Sequence, residues 1–402
     1  MTHRLYYTDP YLQAFDAIVQ RVDRAPDRVI VTLDQTAFYP TSGGQPFDIG
    51  QLGDARVVDV IDQEDGTIAH VLNAEPVPLE QGQSVRGRVD WARRFDHMQQ
   101  HTGQHVLSAA IDKLFNVRTV SFHLGAELST IDVARELSSA ELAAAEATAN
   151  QVVWEDRPVT IRFADAEEAA KLRLRKESVR GGTLRLIDVE GFDLSACGGT
   201  HVSRTGAIGI IAAASWERFK GGQRIEFVCG GRALQRFRSA RDAVTASVRL
   251  LSVLPAELPA AIQRLLADAK DQKRAFAGLQ EELARFRAEE LAAAGEATAV
   301  GRLVFQPVDA DANGLKSLAS AIVAKPGQVV VLVSRSRPAL VVAARSTDVT
   351  AVSAQQIIGA LTAAFGGRGG GRAELAQAGG LDADPDTVLA AARDVVNASA
   401  RS

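Results

Sequence analysis

The sequence predicts an α+β chain of several domains, on three observations. Its 402 residues exceed the ~250–300 at which a single core usually stops growing. Up to about Asp90 short apolar runs alternate with Pro and Gly, and from Trp91 apolar residues recur at three- and four-residue steps. After Gln235 the composition turns to Ala, Leu, Arg, Glu and Gln in heptad-like spacing. The expected order is a small β-barrel over 1–90, an α+β domain over 91–235, a long helical linker over 236–299 and a small α/β domain over 300–402.

Each segment has its own signal. In the first, Val29–Leu33 and Val57–Ile61 read as strands, and the loop Ala37–Pro46 holds paired glycines, Gly43 and Gly44. Glycines there permit positive φ and leave backbone N–H groups uncovered, although a plain hairpin turn has the same composition. In the second, Phe95, Met98, Thr102, Val106, Ala110 and Leu114 lie along one amphipathic helix. A second helix is expected over Ser139–Val152, with strands near Val159–Phe163, Leu184–Val189, Ile208–Ala213 and Arg224–Val228. Between Pro255 and Gly295 a helix of ~60 Å would act as a spacer arm, a dimer seam or a helix packed on its own domain. In the fourth, Val329–Val333 and Leu340–Ala344 are β-branched runs, followed by the glycine-rich loop Gly366–Arg372.

Composition narrows the function. Hydrophobic residues make up 46% and charged residues 23%, the balance of a folded globular chain. Lys+Arg number 45 against Asp+Glu 49, a net charge of −4, so any basic nucleic-acid surface must be local. Two cysteines, Cys197 and Cys229, cannot build a disulfide framework, no signal-peptide core follows Met1, and a cytoplasmic location is expected. No stretch reaches the ~18 apolar residues of a membrane span, and no phosphate-loop motif supports ATP chemistry.

Chemistry concentrates at two places. His97, His101 and His105 recur four apart on one predicted helix, where i and i+4 share a face and His101 and His105 form a two-point chelate. Some ninety residues on, Cys197-Gly198-Gly199-Thr200-His201 places a thiol and an imidazole across a glycine turn. Thiolate and imidazole are zinc's preferred ligands, so His101, His105, Cys197 and His201 together form a candidate zinc set. Thr102 stands where a metalloprotease carries its Glu, which argues against that general base and leaves a zinc hydrolase or a structural zinc module. His97 reads as a supporting or a partly exposed helical histidine, while His3, His70 and Cys229 read as incidental.

Both halves, His101-Thr102-Gly103-Gln104-His105 and Cys197-Gly198-Gly199-Thr200-His201, resemble the editing domain shared by alanyl-tRNA synthetase and the free-standing alanyl-tRNA editing (AlaX) family. The Phe38–Asp48 loop, Val89-Asp90-Trp91, Arg224–Val228 and the Gly366–Gly380 stretch extend the resemblance over essentially the whole chain, in the order of the long form with its DHH-associated C-terminal domain. No aminoacylation core is expected ahead of the barrel, so hydrolysis rather than synthesis is expected. The resemblance implies deacylation in trans of tRNA(Ala) mischarged with serine or glycine, with zinc on His101, His105, Cys197 and His201 as the catalytic centre. It places Ser121, Gly43, Gly44 and Gln45 beside the substrate, with Phe122 standing where the synthetase often carries Gln. Arg368 and Arg372 of the glycine loop are expected against tRNA phosphates, with a flexible interdomain turn as the alternative. Zinc either activates water or orients substrate, and a homodimer through the linker or C-terminal domain is expected. Two alternatives stand: a non-catalytic RNA-binding protein with a structural zinc, and an editor of threonyl-tRNA.

Overall fold

A computed structural model describes residues 1–26, 28–73, 78–175 and 183–399, which form two compact units, Met1–Ala246 and Ser247–Ser402. The fold is multidomain α+β, and it opens on a closed six-stranded barrel. Its strands run in the order Ala14–Ala25, Arg28–Leu33, Ile68–Leu72, Ala55–Asp62, Gly50–Leu52, Ser84–Val89. Alternation builds its core: Phe15, Ala17 and Val19 face Val29, Val31 and Leu33 while intervening residues face outward. Closure leaves no unpaired barrel edge.

Helix α1 (Trp91–Phe115) leaves directly from the last barrel strand. Asp90 caps it by accepting from the Arg93 N–H, and Asn116 ends it in the left-handed conformation. Helix α2 (Ser139–Trp154) starts at a Ser138/Glu141 capping box and packs on α1. Both cover a four-stranded antiparallel sheet, ordered Ile211–Phe219, Gly222–Cys229, Ser129–Val133, Thr119–Leu124. The strand expected from Ile208 starts at Ile211, because Thr205–Ile208 forms a 3-10 turn. A second sheet of Val159–Ala164, Leu184–Val189 and Asp193–Ala196, with the short α3 (Ala166–Lys171), carries the metal-motif turn at its end. Helix α4 (Gly230–Leu251) follows and buries no residue.

In the second unit α5 spans Leu258–Ala293, about 54 Å at 1.5 Å per residue. A six-stranded sheet follows in the order Glu296–Thr298, Gly301–Val308, Gln328–Ser334, Ala339–Arg345, Leu375–Leu381, Arg368–Gly371. Its continuous apolar strands are explained by helices on both faces. Val329, Val331 and Val333 meet α7 (Ala354–Phe365) and α8 (Pro385–Ser399), whereas Val330 and Leu332 meet α6 (Ala312–Val323) and Ala284, Ala288 and Ala292 of α5. The glycine stretch expected as a loop is in large part an edge strand: Arg368–Gly371 pairs with Ala376–Gly379. Side-chain-free Gly369 and Gly371 allow that approach, since a Cβ on either would come within 2.5 Å of the neighbouring strand. Among the described residues no single helix is long and apolar enough to cross a membrane.

Two buried polar groups lock the barrel. Arg94 of α1 is fully buried and donates to Asp48 through Nε and Nη2, to the Pro10 carbonyl at 2.8 Å and to the Ala37 carbonyl at 2.5 Å. Asp48 also accepts from the Tyr39 N–H at 2.6 Å, so one ion pair ties the glycine-rich loop to the helix. His70, expected to be incidental, is fully buried: its Nδ1–H donates to the Val31 carbonyl at 3.0 Å and its Nε2 accepts from Thr36 at 2.8 Å. Burial pulls its pKa down to about 4, against a single raising hydrogen bond.

Asp48→Asn should leave a buried guanidinium without its counter-charge and lower the unfolding free energy of the first unit by about 3–5 kcal/mol in urea titrations. A loss below about 1 kcal/mol would contradict the lock. For His70 the folded state refuses a proton that the unfolded chain takes below pH ~6.5, so stability falls as pH drops from ~6.5 toward ~4, by up to about 3 kcal/mol. Comparing wild type with His70→Gln at pH 7 and pH 4.5 isolates this contribution, and equal acid sensitivity of the two proteins would refute it.

Candidate metal centre

One face of α1 carries His101 and His105, one helical turn apart and both buried. From the opposite side comes the turn after strand Asp193–Ala196, with Cys197 and His201. The buried Arg185 shapes that turn by donating through Nη1 to the carbonyls of Cys197 at 2.7 Å and Gly199 at 2.9 Å. Gly199 has to be glycine, because a Cβ would sit 2.2 Å from His101 Cε1. Nitrogen and sulfur atoms of His101, His105, Cys197 and His201 all lie within 4.8 Å of one another. Cys197 Sγ is 3.4 Å from His101 Nε2 and 3.3 Å from His201 Nε2. Those separations are close to the ~3.5 Å nitrogen-sulfur edge implied by zinc bond lengths of ~2.0–2.1 and ~2.3 Å in a tetrahedron.

The far side of each imidazole is already committed. His101 Nδ1–H donates to Gln45 Oε1 at 2.8 Å, and His105 Nδ1–H donates to Asp193 Oδ2 at 3.1 Å. His201 Nδ1–H donates at 3.2 Å to Thr102 Oγ1, whose own proton goes to the Met98 carbonyl. Fixed in that tautomer, all three rings turn an Nε2 lone pair toward Cys197. Burial resists ionisation of the Cys197 thiol, yet His101 and His201 hold its pKa well below the ordinary thiol value. Burial and the neighbouring His101 push His201 down to about 3. Burial also opposes charge on His105, but Asp193 and Cys197 outweigh it and raise its pKa. A poised thiolate and fixed imidazoles are the donor chemistry that zinc takes.

A cavity of about 140 Å³ opens beside this cluster, lined by His105, Cys197, Gln104, Ser121, Thr119 and Gly43 among others. Ser121 donates to Asp132 at 2.5 Å, and Asp132 is in turn held by Arg224 at 2.7 and 2.9 Å, which leaves the serine oxygen free to accept. Gln104 is buried, its amide N–H bound to Ser108 at 2.8 Å, and its Oε1 has no partner among the described residues.

Most residues singled out from sequence converge here. Gly44 sits behind the wall, its carbonyl accepting from Leu124 N–H at 2.9 Å, and its missing side chain makes room for Phe122. Gln45, expected beside substrate, instead has its amide taken up by His101 and Thr200. His97 is buried rather than partly exposed, and burial with Arg93 and Arg232 nearby pushes its pKa down to about 3. Arg368 and Arg372 belong to the other compact unit. The roles of Asp193, Thr102, Gln104 and Asp132 escaped sequence reading, since only the positions of their side chains distinguish them from ordinary polar residues.

Gln45→Ala and Asp193→Asn should each weaken metal retention about 10–100-fold in competition with a chelating dye, with far-UV circular dichroism unchanged. Unaltered retention in both would show that the Nδ1 contacts do not orient the donors.

The alanyl-tRNA editing protein AlaX-L of Pyrococcus horikoshii is 30% identical over 399 residues, covering 97% of this chain and 97% of that protein. The alanine-tRNA ligases of Pyrococcus abyssi (34% over 393 residues) and Halobacterium salinarum (36% over 421 residues) align with 94% and 99% of this chain. This chain spans only 42% and 44% of those ligases. Family models for the class II (A) tRNA synthetases, the threonyl and alanyl tRNA synthetase second additional domain and the DHHA1 domain match residues 11–93, 184–226 and 299–400. With a barrel, a two-part His/Cys cluster and a DHHA1 domain in one chain, and an editing protein matched along nearly its full length, the chain belongs to the alanyl-tRNA editing protein family.

Proposed function

We propose that this chain is an aminoacyl-tRNA deacylase that hydrolyses the ester of tRNA(Ala) mischarged with serine or glycine, using zinc held by His101, His105, Cys197 and His201. The cavity beside His105 and Cys197 is the feature that supports it most: it is small and carries two side-chain acceptors, Ser121 Oγ and Gln104 Oε1. When bound, zinc supplies Lewis-acid polarisation of an ester carbonyl or of water. The chain's own residues do the rest. Gln45, Asp193 and Thr102 hold the ligand tautomers, and the imidazoles beside the buried Cys197 favour its thiolate. Hydrolysis consumes one water and releases the free amino acid and a tRNA with an intact terminal hydroxyl.

Selectivity for serine over alanine follows from the lining. Ser121 spends its proton on Asp132 and offers only lone pairs, as Gln104 Oε1 does, so a seryl hydroxyl finds an acceptor that an alanyl methyl leaves unpaired. Sites built around a substrate hydroxyl discriminate by ~10⁴–10⁵. In the second unit, Arg368 and Arg372 flank a glycine edge strand whose uncovered backbone suits tRNA phosphates. A second reading draws on the donor count: four protein ligands fill a tetrahedral zinc and favour a structural ion.

Incubating the protein with Ser-, Gly- and Ala-tRNA(Ala), and with Ser-tRNA(Thr), separates these readings. Loss of serine from tRNA(Ala) well above buffer, with alanine retained, is expected, and Cys197→Ala should lose both zinc and activity. No acceleration on any substrate would sink the enzymatic reading, and faster loss from tRNA(Thr) would move the substrate to the other tRNA.

A further inference from the structure

Between Gly230 and Ala246, α4 carries Arg232, Arg236, Arg238 and Arg241 against one acid, Asp242, in a chain whose net charge is −4. A basic surface in an acidic chain has to be local, and this stretch is one. None of its residues is buried, and Arg236 and Arg238 form no ion pair among the described residues. Arg241 pairs only with its neighbour Asp242 at 2.8 Å, and both side chains are more than half exposed, so the pair is weak. Arg238 and Arg241, three apart, share one side of the helix, while Arg236 shares its side with Arg232. The two rows flank Phe237, which is 64% exposed.

Arg232 fixes where this helix stands. It donates to Asp96 of α1 at 2.6 Å and to the Gly125 carbonyl at 2.8 Å. Gly125 follows strand Thr119–Leu124, whose residues 119–122 line the cavity beside the metal cluster. Ser121 to Gly125 is about 13 Å of strand, and Arg241 lies about 14 Å beyond Arg232 along the helix axis, so the guanidiniums stand within roughly 35 Å of the cavity. A nucleic-acid strand that rises ~3.4 Å per nucleotide covers that distance in about ten nucleotides.

Charge selects the occupant of this bare face. A second α4 would set arginines against arginines. A membrane surface needs a broad apolar side, and Leu234, Phe237 and Val244 are the large apolar residues here. All four cations are arginines, whose planar forks match phosphate oxygens two at a time. We propose that α4, through Arg236, Arg238 and Arg241, grips backbone phosphates of the RNA whose ester-bearing end enters the cavity, within about ten nucleotides of that end. The identity of that RNA as tRNA rests on the deacylase reading above.

The test measures binding of the full chain to labelled, deacylated tRNA(Ala) by fluorescence anisotropy between 50 and 200 mM KCl. Arg236→Glu with Arg238→Glu and Arg241→Glu should weaken binding at least ~30-fold at 100 mM and make the plot of log Kd against log salt shallower by about 2–3, one step for each phosphate released. The same three positions changed to Gln, which keeps the helix, should lose less affinity but as much slope. Arg21→Glu with Arg28→Glu and Lys171→Glu, an equal change of charge elsewhere, should leave the slope unchanged. Unaltered affinity and slope in both α4 variants would overturn the proposal. So would an equal loss in the control, which makes the effect one of net charge, or wild-type binding to phosphatidylserine vesicles that the α4 variants lose. Because deacylated tRNA is the probe, loss of this contact and absence of hydrolysis are separate results.

Discussion

Three imidazole protons, each held by an oxygen the fold places behind it, are the constraint on which the rest of the centre depends. An unrestrained histidine presents either nitrogen. Gln45, Asp193 and Thr102 remove that freedom, and they come from three separate places: the barrel loop, the strand leading to Cys197 and the α1 helix itself. The donor cluster is thus a product of tertiary structure, and its Nε2 atoms converge because their opposite faces are anchored.

The barrel's part follows from this. Its glycine-rich loop reads at first as a surface for ligands, but Gln45 passes into the interior and grips both His101 and the Thr200 backbone and hydroxyl. The loop is itself held by Asp48, which is fastened to Arg94 at the root of α1. A fully buried ion pair is weak evidence for net stability, since desolvation opposes it. Here it fixes a register: α1 carries the histidines, Arg94 fixes α1 to the loop, and the loop fixes His101.

Much of this was legible in the residues. The i,i+4 histidines and the Cys-Gly-Gly-Thr-His turn identify the cluster because few side chains bind soft metals and glycines permit the turn. Strand alternation gave the barrel, and the heptad spacing gave α5. What stayed hidden depends on where side chains end. Asp193 looks like any strand-end acid, and Thr102 looks like a missing protease Glu rather than an acceptor for His201. His70 looked incidental because no local pattern reveals that Val31 and Thr36 surround it. The Gly366–Arg372 run reads as a loop because glycine disfavours strands, yet Arg368–Gly371 pairs where the neighbouring backbone leaves no room for a Cβ.

X-ray absorption at the zinc edge, measured on the protein as purified, tests the converging donor set most directly. One sulfur at ~2.3 Å with nitrogens at ~2.0–2.1 Å is the expected shell. A shell of nitrogen and oxygen without sulfur, or protein that binds no zinc when the ion is supplied, would contradict it.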